Sequence, residues 1–307
     1  MVTDASPVAD GLDTSKLHVV DVDGVPVRYY EDGNGEPLLL FSGGEFGSLD
    51  SLDRWSLNLP GLAKDFHVFC IDKLGQGHTG NPPRPEDYNC EYLLKHTYGL
   101  IQALGLTNVN LVGQSRGALL VTRLAFDHPD LVRNLIIVDS SSLAPENPMF
   151  PSLKWYENIA GVVTAPPGPP TREVVRIEMD AQAYSRDQVT DDYVDRMLEI
   201  ALLPKFQEAQ SRMREIRGSI WLPSLNRCRE ETVRMIDGEG ISVPTLIIWG
   251  LNDLSAPLPL GQRLFERVAV GTPRAEMHVL NGAGHYSYRE QPASFNRAVR
   301  SFILGRR

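Results

Sequence analysis

The sequence predicts an α/β fold: a mostly parallel, doubly wound sheet with helices on both faces and a helical lid inserted between two strands. Three observations carry this. Short apolar runs recur along the chain, amphipathic stretches lie between them, and one long stretch, from about Ser140 to Ser242, contains no such run. Buried strands alternating with helices are the pattern of a parallel sheet.

The elements follow in order. Residues 17–31 read as two short strands around the turn Asp23-Gly24, with alternation in Val25-Pro26-Val27-Arg28-Tyr29. After EDGNGEP comes LLLF (38–41), a continuous apolar run suited to a strand buried on both faces. HVFCID (67–72), VNLVG (109–113), LIIVD (135–139) and TLIIWG (245–250) repeat it, and a last strand falls at about 276–280. Helical patterns lie at 92–105, 118–129 and 260–270. The insertion holds a Pro-rich connector, VVTAPPGPP (162–170), and two helical patterns, TDDYVDRMLEIALL (190–203) and FQEAQSRMREI (206–216). The organisation is therefore core 1–141, lid 142–242 and core 243–307. Loops at strand C-termini are where such a lid would cover a site.

Composition narrows the function classes. A net charge of −9 argues against general binding to nucleic acid or membrane surfaces and leaves a small-molecule substrate as the expected partner. A homo-oligomer is compatible with this reading. The N-terminus, MVTDASPVADGLDTSK, lacks the apolar stretch of a signal peptide, and no apolar run reaches membrane-spanning length. Three scattered cysteines (Cys70, Cys90, Cys228) suit reduced thiols, so a cytoplasmic location is expected.

The chemistry centres on Gly113-Gln114-Ser115-Arg116-Gly117. A buried strand runs into this GxSxG motif and a helix of small and apolar residues leaves it, the strand–elbow–helix setting that displays a nucleophile. The flanking glycines remove Cβ atoms that would clash in so sharp a turn. Ser115 needs a base and the base an orienting acid, in the chain order serine, acid, histidine. Of seven histidines, His285 lies in a Gly-rich loop, NGAGHYSY, between the last strand and the final helix, which suits a catalytic base. Asp253, in WGLNDLSAP after the strand TLIIWG, is the preferred acid, and Asp139, ending LIIVD, is its rival. An oxyanion needs two backbone donors. The Arg116 N–H is one, and FSGGEFG (41–47) supplies the other at Gly43, with Gly44 as second choice.

Gly75-Gln76-Gly77-His78-Thr79-Gly80 matches the GxGxxG of dinucleotide sites, but the prolines at 82, 83 and 85 forbid the helix that motif must open. No HExxH, Cys/His spacing or Walker motif is present, so no metal is expected.

SGG (42–44), DKLGQGHT (72–79), GQSRG (113–117), WGLND (249–253) and GAGH (282–285) together resemble the α/β-hydrolase fold superfamily over nearly the whole chain. More narrowly, WGLNDLSAP, the GAGH loop with Phe295-Asn296-Arg297, and TDDYVDRMLEIALLP (190–204) are similar to the meta-cleavage product hydrolases, which cut a carbon–carbon bond in vinylogous diketones left by aromatic ring opening. That resemblance implies Ser115, Asp253 and His285 as the triad, donors at Gly43 and Arg116, and no cofactor. The sequence departs from the family at Ser42-Gly43, at Gln114 and Arg116, and at Tyr286, where a tryptophan is common. The family's lid arginine falls on Met197, with Arg196 one position earlier, and one residue on a helix turns a side chain by about 100°. Gly44, Gln114, Arg196 and Tyr286 are the substrate-binding candidates.

An esterase, lactonase or thioesterase with the same triad is the alternative, because the lid decides the substrate. A ligand receptor with little turnover is a third reading. An aspartate-nucleophile enzyme is excluded by Ser115 itself.

Overall fold

The computed structural model describes residues 12–144 and 169–305. The N-terminal residues and most of the Pro-rich connector fall outside the described residues.

Eight strands form one sheet in the order β1-β2-β4-β3-β5-β6-β7-β8. They are β1 (Leu17–Val22), β2 (Val25–Asp32), β3 (Glu36–Phe41), β4 (Phe66–Ile71), β5 (Val109–Gln114), β6 (Val132–Val138), β7 (Thr245–Gly250) and β8 (Ala275–Leu280). The β1–β2 hairpin and the β2–β4 pair are antiparallel, and all other pairs are parallel. Each predicted strand lies within two or three residues of its observed position. The continuous apolar runs feed two faces alternately. Leu39, Phe41, Leu111 and Ile137 join one core, while Leu38, Leu40, Val112 and Ile136 join the other. The chain winds from β3 outward to β4 and then across to β5, so the winding direction reverses there. The C-terminal ends of β3 and β5 therefore flank a crevice.

The helices are α1 (Leu59–Leu62), α2 (Cys90–Ala103), α3 (Arg116–Asp127), α4 (Arg172–Asp180), α5 (Asp191–Leu202), α6 (Pro204–Ile216), α7 (Leu222–Gly238), α8 (Leu258–Gly271), α9 (Ser287–Glu290) and α10 (Pro292–Leu304). Threonine side chains start α4 and α5: Thr171 accepts from the Val174 N–H and Thr190 from the Tyr193 N–H. Between β6 and β7 the described residues contain helices and no strand. Helices α4 to α6 enclose a small apolar core of their own, with Val175, Met179, Val194, Met197, Ile200 and Phe206. A π-helical turn at Arg217–Trp221 joins α6 to α7.

The expected insertion, 142–242, includes a helix that packs into the main core. Helix α7 packs on α2, α3 and α8, and its Leu225, Cys228 and Ile236 belong to the main core. Ala209, Met213 and Trp221 of the preceding segment join the same core. Periodicity alone cannot separate these roles, because a core-facing helix and a cover-facing helix carry the same stripe. No helix of the described residues is long and apolar enough to cross a membrane.

Candidate active site

Strand β5 is buried along its whole length and delivers Ser115 to the N-terminal end of α3. Ser115 has φ 53° and ψ −122°, a conformation that L-residues avoid and that persists only when its surroundings over-determine it. The surroundings are visible. A Cβ on Gly113 would lie 2.4 Å from the Gly117 carbonyl oxygen, and one on Gly117 would lie 2.5 Å from the Ser42 carbonyl oxygen. Only glycine permits that approach. The Ser115 N–H donates to the Val138 carbonyl at 2.9 Å, and the Ser140 hydroxyl to the Ser115 carbonyl at 2.8 Å, so the end of β6 holds the turn from beneath.

The structure brings His285 and Asp253 together. The Nδ1 of His285 is 2.7 Å from Oδ2 of Asp253, and both residues are buried. The other Asp253 oxygen accepts the N–H groups of Ser255 (2.7 Å) and Ala256 (2.8 Å) and the Ser255 hydroxyl (3.0 Å). A carboxylate bonded in this way holds the imidazole with Nδ1 protonated and Nε2 free to accept a proton. Burial works against charging the ring, but Asp253, with Asp139 and Asp50 beyond it, outweighs burial and raises the His285 pKa above its usual value.

The rival acid does a different job. Asp139, fully buried at the end of β6, accepts the Gly250 N–H (2.7 Å) and the Ser287 hydroxyl (2.6 Å). It thus pins the end of β7 and the residues after His285 to β6. Burial, reinforced by the charge of Asp253, pushes its carboxyl well above the usual range.

The structure gives the other site candidates these surroundings. The Gly43 N–H, expected to face an oxyanion, donates instead to Gln114 Oε1 at 3.0 Å. The Gly44 N–H carries no hydrogen bond among the described residues, and at φ +72° a side chain there would collide with Asp50 and Ser48. Gln114, expected to touch substrate, is buried, and its amide nitrogen donates to the His285 carbonyl at 3.0 Å. It is a strut that ties the β3 loop, the elbow and the histidine loop together. Arg196 is turned to Asp53, with Nε 3.2 Å from Oδ1, and Met197 instead occupies the inward helix face, 3.9 Å from the Ser51 hydroxyl. Tyr286 is buried, its ring under Arg54 and its hydroxyl accepting from Gln182 at 3.1 Å. Each of these partners is distant in sequence.

The Arg116 side chain is a third exposed and lies 3.6 Å from Glu45 Oε2. Glu45 also accepts from Arg217 (2.7 Å) and from the Trp221 indole (2.8 Å), so one carboxylate joins the β3 loop, the elbow and the π-turn. Beside it opens a cleft of about 360 Å³, lined in part by Ser48, Glu178, Met213, Arg214 and Arg217. The discarded GxGxxG segment is a brace. Gln76 donates to the Gly43 and Glu45 carbonyls at 3.0 Å each, and Lys205 of α6 donates to the carbonyls of Gln76 (3.1 Å), Gly77 (2.9 Å) and Thr79. Sequence reading missed Glu45, Asp50, Arg54, Gln76 and Lys205. The charges set among apolar residues in LDSLDRW (49–55) were the available signal.

Comparisons with known proteins agree with this geometry. The profile of the alpha/beta hydrolase fold family matches residues 37–292. A 2-hydroxymuconate semialdehyde hydrolase from Pseudomonas sp. strain CF600 is 28% identical over 280 residues, 91% of each chain. A 2-hydroxy-6-oxononadienedioate/2-hydroxy-6-oxononatrienedioate hydrolase from Paraburkholderia xenovorans is 23% identical over 305 residues, 99% of each chain. Among solved structures, a meta-cleavage product hydrolase from Pseudomonas fluorescens superposes with a TM-score of 0.74 at 26% identity, covering 94% of this chain and 97% of the other.

Proposed function

The chain belongs to the alpha/beta hydrolase fold family, and on that premise we propose that it is a serine hydrolase cleaving a carbon–carbon bond next to a carbonyl, in a vinylogous diketone of the meta-ring-cleavage class. The observation that carries the hydrolase reading is the 2.7 Å Asp253–His285 pair, tied through Gln114 to a strained Ser115. The names of its relatives, spread over most of its length, support the carbon–carbon class.

The roles follow from the geometry. After the dienol substrate ketonises, His285 Nε2 takes the Ser115 proton, and Ser115 Oγ attacks the carbonyl carbon. The resulting oxyanion faces the N–H of Arg116, which as the first residue of α3 has no partner within the helix. The second donor is the Gly44 N–H, since that of Gly43 is engaged. Collapse breaks the carbon–carbon bond, and His285 returns its proton to the departing carbon. Water, deprotonated by His285, then releases the acyl group from Ser115. Helices α4 to α6 act as the lid that covers the bond being cut.

The test compares decay of a coloured ring-cleavage dienoate with release of p-nitrophenol from a short ester. A kcat/KM on the dienoate well above that on the ester is expected. Turnover of the ester alone makes the protein an esterase with the same triad. A single covalent event per chain without turnover makes it a receptor.

A further inference from the structure

Gln76 lies in the segment that braces the β3 loop and is only 1% exposed. Its Nε2, with two hydrogens, lies 3.0 Å from three oxygens: the Gly43 carbonyl, the Glu45 carbonyl and the Ser48 hydroxyl. Its Oε1 is buried and has no partner among the described residues. Turning the amide over would set that oxygen against two carbonyl oxygens, so the network fixes its orientation. An unpaired buried oxygen is costly, and the fold accepts it while keeping the donor end on this loop.

The Gly43 carbonyl shares a peptide with the Gly44 N–H, the second donor to the oxyanion. A peptide unit is planar and trans, so its carbonyl and its N–H point in opposite directions. Holding the carbonyl on Gln76 therefore turns the N–H to the other side. The unit stands beside the nucleophile, since a Cβ on Gly43 would lie 2.8 Å from the Ser115 Cβ. A glycine at each end makes it easy to rotate. Gly44 has φ +72°, and glycine adopts negative φ about as readily. Rotated by half a turn, the unit would set a carbonyl oxygen against the oxyanion and repel it. The other bonds of the loop act on its neighbours. Gln114 holds the Gly43 N–H, part of the preceding peptide, and Lys73 Nζ lies 3.5 Å from the Gly44 carbonyl, part of the next.

We propose that Gln76 is a positioning residue: by holding the Gly43 carbonyl it keeps the Gly44 N–H turned to the oxyanion formed at Ser115. This rests on the hydrolase reading and deepens it by naming what sets the second donor. A hydrogen bond to the carbonyl also polarises the peptide, which strengthens its N–H as a donor.

The test removes the donor with Gln76→Leu and follows whichever substrate the wild-type protein turns over, dienoate or short ester. The kcat should fall roughly 10- to 100-fold, short of the loss of a whole oxyanion donor, with KM within about 3-fold. Binding of 1,1,1-trifluoroheptan-2-one, measured by calorimetry, reports the oxyanion without turnover. Ser115 Oγ adds to its carbonyl carbon, the hydroxyl proton passes to His285, and the carbonyl oxygen takes the negative charge. The dissociation constant should rise by the factor by which kcat falls. Lys205→Met loosens the same segment without touching the Gly43 carbonyl, and should leave both within about 3-fold. Equal losses in Lys205→Met, a change in KM alone, or an unaltered dissociation constant overturns the assignment. Should Gln76→Leu not fold, as judged by its melting transition, Gln76→Glu carries the test. Its carboxyl matches the amide in shape but donates only while protonated, so its kcat relative to wild type should drop as pH rises. A ratio that stays constant with pH rejects the proposal. Ketone binding that depends on Gln76, in a protein that turns over neither substrate, supports the assignment and rejects the hydrolase reading alone. Failure of the wild-type protein to bind the ketone rejects both.

Discussion

Two glycine-rich loops leave the same edge of the sheet. Gly113–Gly117 follows β5 and Gly75–Gly80 follows β4. Both crowd their glycines against neighbours: a Cβ on Gly77 would lie 2.1 Å from an Asp72 carboxylate oxygen, much as one on Gly113 would meet Gly117. They differ in what comes next. The first opens a helix, so the N–H of Arg116 at its start is left without a partner within the helix. The second runs into prolines and turns back, so its carbonyls face outward and take Lys205. The lesson is that glycine spacing reports close backbone approach, while the residues that follow decide whether donors or acceptors are displayed.

The sharpest break of that comparison is Ser115→Ala. It should lower kcat by several orders of magnitude with the fold intact, since a single oxygen at the displaying loop is lost. Loss of labelling by a fluorophosphonate probe checks it. Asp253→Asn should cost about 10³- to 10⁴-fold in kcat, as His285 loses tautomer control and countercharge. Asp139→Asn should cost far less, because its carboxyl bonds strand ends and a serine rather than the base. The reverse ranking in steady-state kinetics would move the acid to β6.

A pH profile sharpens the same side. His285 acts as a base only when neutral, and its pKa is raised. Activity should therefore rise with pH through a midpoint above the usual histidine value. In Asp253→Asn the midpoint should shift to lower pH, since the charge that holds the proton is gone.

The bracing loop answers to a smaller change. Lys205→Met leaves three loop carbonyls without their donor and should destabilise the protein by about 1–3 kcal/mol, read from denaturant unfolding. Its kcat on a small neutral ester should stay within about 3-fold, because no reacting group moves. Smallest of all, Arg196→Met should alter kcat/KM by less than about 2-fold, since the pair it breaks with Asp53 lies off the reaction path and Asp53 keeps Arg28.

The sheet, the strained elbow at Ser115 and the loops that carry Asp253 and His285 were legible because their signals are local. A strand buried on both faces writes itself as LLLF or TLIIWG, and a strained elbow writes itself as two glycines around a serine. The charged interior under the cover was not legible, because each of its bonds spans the chain. Glu45 meets Arg217, Gln114 meets Gly43 and the His285 carbonyl, and Lys205 meets the loop at 76–79. The Arg196–Asp53 pair was illegible for a geometric reason, since one helical position separates Arg196 from the inward Met197.

The cover is fastened unequally. On the base side, the His285 N–H donates to the Gln182 carbonyl at 2.9 Å. Glu290 gathers the N–H groups of Gly284, Tyr184 and Ser185, all within 2.9 Å. Lifting residues 182–185 would thus drag the imidazole from Asp253. The opposite edge is held at Glu45 by side chains, beside the open cleft. Opening of the cover that leaves the Asp253–His285 pair in place is therefore expected at the Arg217 edge, where side chains alone make the contact with Glu45. Amide hydrogen exchange would show this as slow protons at 184–185 and fast ones around 214–221. Product could then depart while the proton-transfer machinery stays assembled for the next substrate.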